Sequence, residues 1–466
     1  VLLLEEGGYY RTEDFKSDPR VMLPRLYRNA GTTMILGNSP VIFSEGRCVG
    51  GSTVINAGIC YRTPDKVLKR WGWEHGLTDM TSAGMNPYFE QVERALNVSL
   101  VPPEIFGKDT LKLKEGAERL GYKTTPIYRN IRACQGTNLC IWGCPTGAKQ
   151  STLVTYVPEA LKYGARLIAN CRVDRILAKD GKATGVAGVF LDLETGKTPY
   201  KIEVKADLVF ACGGAIQTPI LLQRSGLAKK NPLVGKNLFI HPNAKAIGIF
   251  DEEIKGWQGS IQGYQVDHFA DEGFTFFTTF LPPGVMAFSL PYFGNESYEL
   301  MKHYNYMTSW GVLVEDTHAG RVRLGPFNQP IISYQFDALD EERMLHGLAL
   351  LAEIFFAAGA RAVHLPVRGL ELIERPDQIA QLFEKSIKIS DVQLFTVHAM
   401  GTCRMGRDPN KSVVNEHQEF HTLRNLFVAD ASVFPTPIRV NPMITIMALA
   451  TRCAEYVANQ RAHYIE

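Results

Sequence analysis

Val1-Leu2-Leu3-Leu4-Glu5-Glu6-Gly7-Gly8 opens the chain: an apolar run, then two acids, then two glycines. A continuous apolar stretch closed by a turn is the pattern of a strand buried on both faces. In a dinucleotide-binding βαβ unit such a strand comes second, and the acid at its end binds a ribose. Glu5 fits that acid. On this reading a strand, a G-x-G-x-x-G turn and a helix, about 30 residues together, precede Val1, and the chain is expected to be a fragment. No such glycine fingerprint occurs elsewhere in it. Were Glu5 alone considered, a plain buried strand at the start of a domain would serve equally well.

Working outward, strands are expected at Ala165 to Ile168, Val186 to Leu191 and Leu208 to Ala211, with Glu194-Thr195-Gly196 as a turn between the last two. Leu208 to Ala211 runs into Cys212-Gly213-Gly214-Ala215, a second tight strand-to-helix turn. From Lys236 to about Val397 the texture becomes aromatic-rich and less regular, as in Phe274-Thr275-Phe276-Phe277, with a helix expected from about Asp340 to Ala358. The last stretch returns to the first style. Asn425 to Asp430 reads as a strand ending in an acid, and Pro442 to Val457 as a helix. A nucleotide-binding domain interrupted by a substrate domain explains this order.

Composition narrows the function. Lys+Arg at 50 against Asp+Glu at 48 leaves a net charge of +2, and no basic run is interleaved with aromatics, so nucleic acid is not an expected partner. The longest apolar segment, Leu345 to Ala358, is broken by Glu353 and falls short of the roughly 20 residues that a bilayer requires; no transmembrane segment is expected. Nine cysteines in 466 residues do not make a disulfide scaffold, and a reducing, cytoplasmic location is the default. The first residues lack the pattern of a secretory signal.

Asn441-Pro442 reads as a helix start, with Asn as the cap and Pro at the first helical position. A helix N-terminus also gathers unpaired N–H groups and partial positive charge, which suits an anionic ligand such as the pyrimidine edge of a reduced flavin. Locally, a capped helix is the simpler reading of Asn441 to Thr445. His398 lies in Val397-His398-Ala399-Met400-Gly401-Thr402-Cys403-Arg404-Met405-Gly406, with glycines on both sides of a basic residue. A lone histidine is more often structural, but alcohol oxidation needs a base for the hydroxyl proton, and imidazole suits that task near neutrality. Asn441 would hold the same hydroxyl. In Gly46 to Tyr61, Gly50 and Gly51 permit close approach to a flat ligand and Ser52 or Asn56 would bond to it, although a structural turn explains the glycines equally well.

Together these segments resemble the glucose-methanol-choline (GMC) oxidoreductase family. The resemblance rests on Val1 to Gly8, Gly46 to Asn56, Gly213 to Gly226 and His398 to Ala454, with Val234-Gly235-Lys236-Asn237-Leu238 and His241-Pro242 as the link into the substrate domain. It implies an α/β fold. A Rossmann-like FAD-binding domain, residues 1–235 with 398–466 and a lid over about 64–150, would lack its first βα unit. A substrate domain, 236–397, with a mainly antiparallel sheet and helices, would interrupt it.

By motif position His398 resembles the catalytic histidine and Asn441 its partner. Asp430, followed by Ala431, resembles the acid that contacts the FAD backbone. Val173 resembles the residue whose backbone meets the adenine. Glu5, Gly50, Gly51, Ser52, Asn56, Gly213, Pro442 and Met443 complete the expected cofactor contacts. Ile55 stands where members with a histidyl flavin link carry His, which implies non-covalent FAD.

The implied activity is oxidation of a small-molecule alcohol, His398 taking the proton as hydride leaves for the flavin, with oxygen or an external electron acceptor re-oxidising it. A hydroxynitrile lyase and a non-catalytic remnant are the alternatives. Cys134-x5-Cys140-x3-Cys144 resembles a cysteine insert of some bacterial GMC dehydrogenase subunits and long-chain alcohol oxidases. Three thiolates there could hold an iron–sulfur cluster. Most clusters take four ligands and no fourth cysteine stands nearby, so a disulfide or buried thiols are the other readings.

Overall fold

The computed structural model describes residues 1–465. Strand Leu2–Leu4 pairs in parallel with Arg166–Ile168, and Val209–Ala211 pairs in parallel with Leu426–Val428. These are the parallel pairs of an α/β layer, formed by the apolar runs read in the sequence. Two-sided burial of the first strand is not realised, however: Leu3 is 44% exposed, because this strand has a hydrogen-bonded neighbour on one edge only among the described residues.

A three-stranded antiparallel meander lies next in the chain, in the order Lys201–Lys205, Lys182–Phe190, Cys171–Lys179. Its outer strand corrects the expected connection. The turn at Asp192 to Gly196 leads into Lys201–Lys205, which pairs back on Lys182–Phe190, and only then does the chain reach Val209–Ala211. The alternation in Lys201–Lys205, Lys-Ile-Glu-Val-Lys, carries only two apolar residues, which is why it did not read as a strand.

The remainder is dominated by a ten-stranded sheet whose pairs are antiparallel except for Leu394–Thr396 with Val41–Phe43. Most of its strands come from residues 243–396; Thr33–Ile35, Val41–Phe43 and Thr124–Pro126 join from earlier in the chain. Helix Ala338–Ala357 packs on it. Asp337 starts this helix by accepting a hydrogen bond from Asp340 N, and acids fill its first turn. Its apolar residues surround it because it is buried, with Phe355 stacked on Trp310 at 3.9 Å between ring centroids. Burying one such ring contributes about 1.5–3 kcal/mol. No helix among the described residues is long and apolar enough to cross a membrane.

Candidate active site

The strand Leu394–Thr396, paired on both sides within the large sheet, delivers His398 to its C-terminal end, and the backbone there is tied down before the imidazole is reached. His398 N donates to Thr396 Oγ1 at 3.2 Å, and Thr396 Oγ1 donates in turn to Ile240 O. Beyond the histidine, Gly401 N donates to Ala431 O at 3.0 Å and Cys403 N to Ser432 O at 2.7 Å, so the loop is stitched to the turn after Asp430. His398 Nε2 lies 3.2 Å from Asn441 Nδ2, while Nδ1 is enclosed and has no partner. Loss of solvent pulls the His398 pKa down to about 4. At neutral pH the ring is therefore uncharged and able to accept a proton.

Asn441 does not cap the last helix, as the local pattern had implied. The helix is Met443–Asn459, its cap position is Pro442, and no side chain satisfies it. The Asn441 amide is directed to His398 instead, which leaves the first turn of the helix without a side-chain acceptor. Asn56 Nδ2 donates to Met443 Sδ at 3.0 Å, bringing the signature segment to the same helix start. Asn56 Oδ1 is buried and unpartnered.

Gly50 holds φ at +92°, and a Cβ there would press on Val54 and Leu153 within 3 Å. Thr53 Oγ1 closes this turn by donating to Gly50 O at 2.6 Å, and Ser52 Oγ accepts from Gly46 N at 3.0 Å. Open space faces Gly51 and Gly214, where a Cβ would meet nothing within 4 Å. Gly7 is pressed against the same segment: a Cβ on it would lie 2.1 Å from Arg47 O.

Glu5 accepts from Gly7 N at 2.7 Å, and burial raises its carboxyl to about 7. Glu6, by contrast, is bound by Arg28 at 3.0 and 2.8 Å, and Arg28 also pairs with Glu45. Cys171 N donates to Glu5 O at 2.7 Å, which sets Val173 on the strand adjoining Glu5. Asp430 is saturated from within the chain. One oxygen accepts from Ser432 N and Oγ; the other accepts from Gly214 N at 2.8 Å and from Thr218 Oγ1, and Gly213 N is held by Thr218 Oγ1.

These residues fit FAD. Glu5 follows the first strand with one carboxylate oxygen bonded to Gly7 N, an orphaned buried amide oxygen and an orphaned imidazole nitrogen stand near an uncapped helix start, and open space fronts Gly51 and Gly214.

The cysteine segment gives a different result from the cluster expectation. Among the described residues no three His, Cys, Asp or Glu side chains converge to hold a metal, and all nine cysteines are free thiols. Cys140 Sγ lies 3.0 Å from Arg129 Nη2, whereas Cys144 Sγ accepts from Lys149 N at 3.4 Å and pairs with Thr146 Oγ1. Burial works against a Cys144 thiolate, but these hydrogen bonds outweigh it and bring the pKa below the ordinary thiol value. Separate donors thus claim the sulfurs of Cys140 and Cys144.

Two residues that sequence reasoning missed organise this region. Lys149, 2% exposed, donates to Val54 O, Asn56 O and Cys140 O, each at 2.7 Å, and burial lowers its pKa to about 8. Arg129, fully buried, donates to Ala57 O and to Ser260 Oγ. Both cations pin the carbonyls that follow the signature glycines. Their only sequence signal was a charged residue inside an otherwise apolar or glycine-rich stretch. His241 was also missed as a neighbour of His398. It has φ of +44°, is 1% exposed, and meets the His398 ring edge-on at 5.7 Å between centroids. Asp316 holds its backbone, accepting from Ile240 N at 2.7 Å and His241 N at 3.1 Å.

Two family models described as GMC oxidoreductase match the chain, one over residues 23–243 and one over 316–450. An uncharacterized GMC-type oxidoreductase of Sinorhizobium fredii is 35% identical over 459 residues, covering 98% of this chain and 89% of its own length. A long-chain-alcohol oxidase of Arabidopsis thaliana is 29% identical over 479 residues, covering 97% of this chain and 64% of its own. The crystal structure of pyridoxine 4-oxidase from Mesorbium loti superposes with a TM-score of 0.70 at 19% identity, over 98% of this chain and 94% of that one, a likeness of fold.

Proposed function

This chain belongs to the GMC oxidoreductase family, and from that premise we propose that it oxidises an alcohol to a carbonyl with non-covalent FAD, His398 acting as the base. The observation that carries this reading is the 3.2 Å contact between His398 Nε2 and Asn441 Nδ2, at the start of an uncapped helix. When bound, FAD supplies the acceptor for the hydride that leaves the alcohol carbon.

The chain's own residues do the rest. A hydroxyl bound at the pair accepts a hydrogen bond from Asn441 Nδ2 and donates to His398 Nε2, replacing their direct contact. His398, uncharged at neutral pH, then takes the proton. Thr396 and the Gly401–Ala431 bond keep the imidazole in place during that transfer. Glu5 would hold the ribose, Val173 the adenine through its backbone, and Gly50, Gly51, Ser52 and Asn56 the flavin side. Gly213, Asp430 and Ala431 would present backbone to the connecting chain of the cofactor, the Asp430 carboxylate being engaged internally. Pro442, which has no N–H of its own, would lead the chain into Met443, where the free N–H end of the helix begins and its partial positive charge favours a ligand that gains negative charge.

The proposed division assigns 1–235 and 398–466 to the FAD and 236–397 to the substrate. The name of the Arabidopsis relative supports an alcohol as the hydride donor. Oxygen or an external acceptor would complete turnover.

The test is anaerobic mixing of the FAD-loaded protein with a panel of primary alcohols, followed by absorbance near 450 nm. Bleaching of the flavin by at least one alcohol, with the matching aldehyde formed, is expected. Absence of bleaching across the panel, with cyanohydrin cleavage in its place, would turn the reading to the lyase alternative.

A further inference from the structure

A cleft lies on the short sheet formed by Lys236–Leu238, Gly320–Leu324 and Pro330–Ser333, and neither His398 nor Asn441 lines it. Arg321 is the cross-strand partner of Lys236 on one side and of Ser333 on the other. Directly paired residues of antiparallel strands point to the same face, so a Lys–Arg–Ser rung faces outward there. Arg323, two residues along, points the same way, while Val322 between them faces the core.

That arrangement opposes its own electrostatics. Like charges directly opposite one another destabilise a strand pair, and no Lys236, Arg321 or Arg323 ion pair relieves it among the described residues. The face forms one wall of a cleft of about 480 Å³, to which Arg404 and His318 add further nitrogen donors and no Asp or Glu contributes. Arg404 is anchored by bonds to Lys411 O and Asn237 Oδ1, so it is held in place without being neutralised. A volume of this size lies within the roughly 300–1,000 Å³ of small-molecule sites. Guanidinium forks match the oxygens of phosphate and carboxylate groups.

From this geometry we infer that the cleft binds a small organic anion carrying two or more negative charges, a phosphate ester or a polycarboxylate, seated between Lys236, Arg321, Arg323 and Arg404. None of the residues assigned to FAD lines the cleft, so the inference stands apart from the flavin reading.

The test is calorimetric titration of the full chain, saturated with FAD, with inorganic pyrophosphate and separately with citrate, at ionic strength matched by potassium chloride. One-to-one binding of at least one probe is expected, weakened tenfold or more in Arg321→Gln/Arg323→Gln and weakened less in Arg321→Lys, which keeps the charge and loses the fork. Tighter pyrophosphate supports a phosphate ligand, and tighter citrate a carboxylate. Because both arginines are exposed, the double variant should fold, and relief of repulsion should raise its unliganded melting temperature by about 1 °C. Binding of neither probe, equal binding by parent and double variant, or a lowered melting temperature of the unliganded variant would overturn the site.

Discussion

Asn441 Nδ2 stands 3.2 Å from His398 Nε2 although 43 residues of chain separate them. The contact joins the loop after an interior strand of the large sheet to the residue just outside the last helix. It makes an amide donor and an uncharged imidazole acceptor available to one small polar group.

Removing the base should show in a single half-reaction. His398→Ala is expected to slow anaerobic flavin reduction by about 10²–10⁴-fold, the usual range for a general base, while FAD affinity changes less than threefold. Asn441→Ala should slow it about tenfold, in keeping with one lost hydrogen bond. Stopped-flow absorbance separates these from binding. Reduction of the alanine variant at the parent rate would exclude His398 as the base.

The pH dependence follows from the sign of the His398 shift. A base must be deprotonated, and burial holds this imidazole at about 4. Reduction rates should stay level from pH 8 down to about 5 and fall as pH approaches 4, rather than through the ordinary histidine range near 6.5. A midpoint at 6 to 7 in the rate profile would contradict the enclosed site.

Asp109 provides a stability test with the opposite sign. Both its carboxylate oxygens are buried without a side-chain partner, and burial raises the group to about 7. Folding thus retains a proton that the unfolded chain releases near 3.9. Its contribution is present below that value and is lost as pH rises through 7. Urea midpoints should fall for the parent between about pH 4 and 7, and Asp109→Asn should flatten the decline. An unchanged slope in the variant would show that another group governs it.

Lys149→Met should destabilise the fold by about 3 kcal/mol, since three buried carbonyls lose their donor at once and one such loss costs about 1–3 kcal/mol. FAD affinity should drop with it, because the Val54 to Asn56 backbone would no longer be pinned. A variant within about 0.5 kcal/mol of the parent, the range of ordinary surface changes, would mean that the carbonyls find other partners.

With Ile55 in place of a linking histidine, acid precipitation should leave all FAD in the supernatant and a colourless pellet. A yellow pellet after washing would indicate a covalent bond and reopen the assignment of that position.

Much of this was legible from local pattern. The apolar run to Ala211 and the glycines after it announce the turn into the helix Gly214–Arg224, where Gly213 does take the cap position. The long buried helix was anticipated from Asp340 and runs Ala338–Ala357, its start shifted by the capping bond from Asp340 N to Asp337. His398 and Asn441 were singled out because their residue types suit the chemistry. Strand Lys201–Lys205 went unread because its charged alternation resembles a solvated loop.

Spacing along the chain predicts what a backbone will do over a few residues, since periodicity, glycine and proline act through nearby dihedrals and hydrogen bonds. It is silent on which side chains will share a solvent-free space. Asn441 was assigned to the cap by a local rule, and long-range packing turned it to His398. Of the three cysteines close in sequence, Cys140 proved to answer to Arg129 and Cys144 to Thr146 and Lys149. Lys149 and His241 gained their importance only when folding withdrew water from an amine and an imidazole, a change of environment that no stretch of sequence encodes on its own.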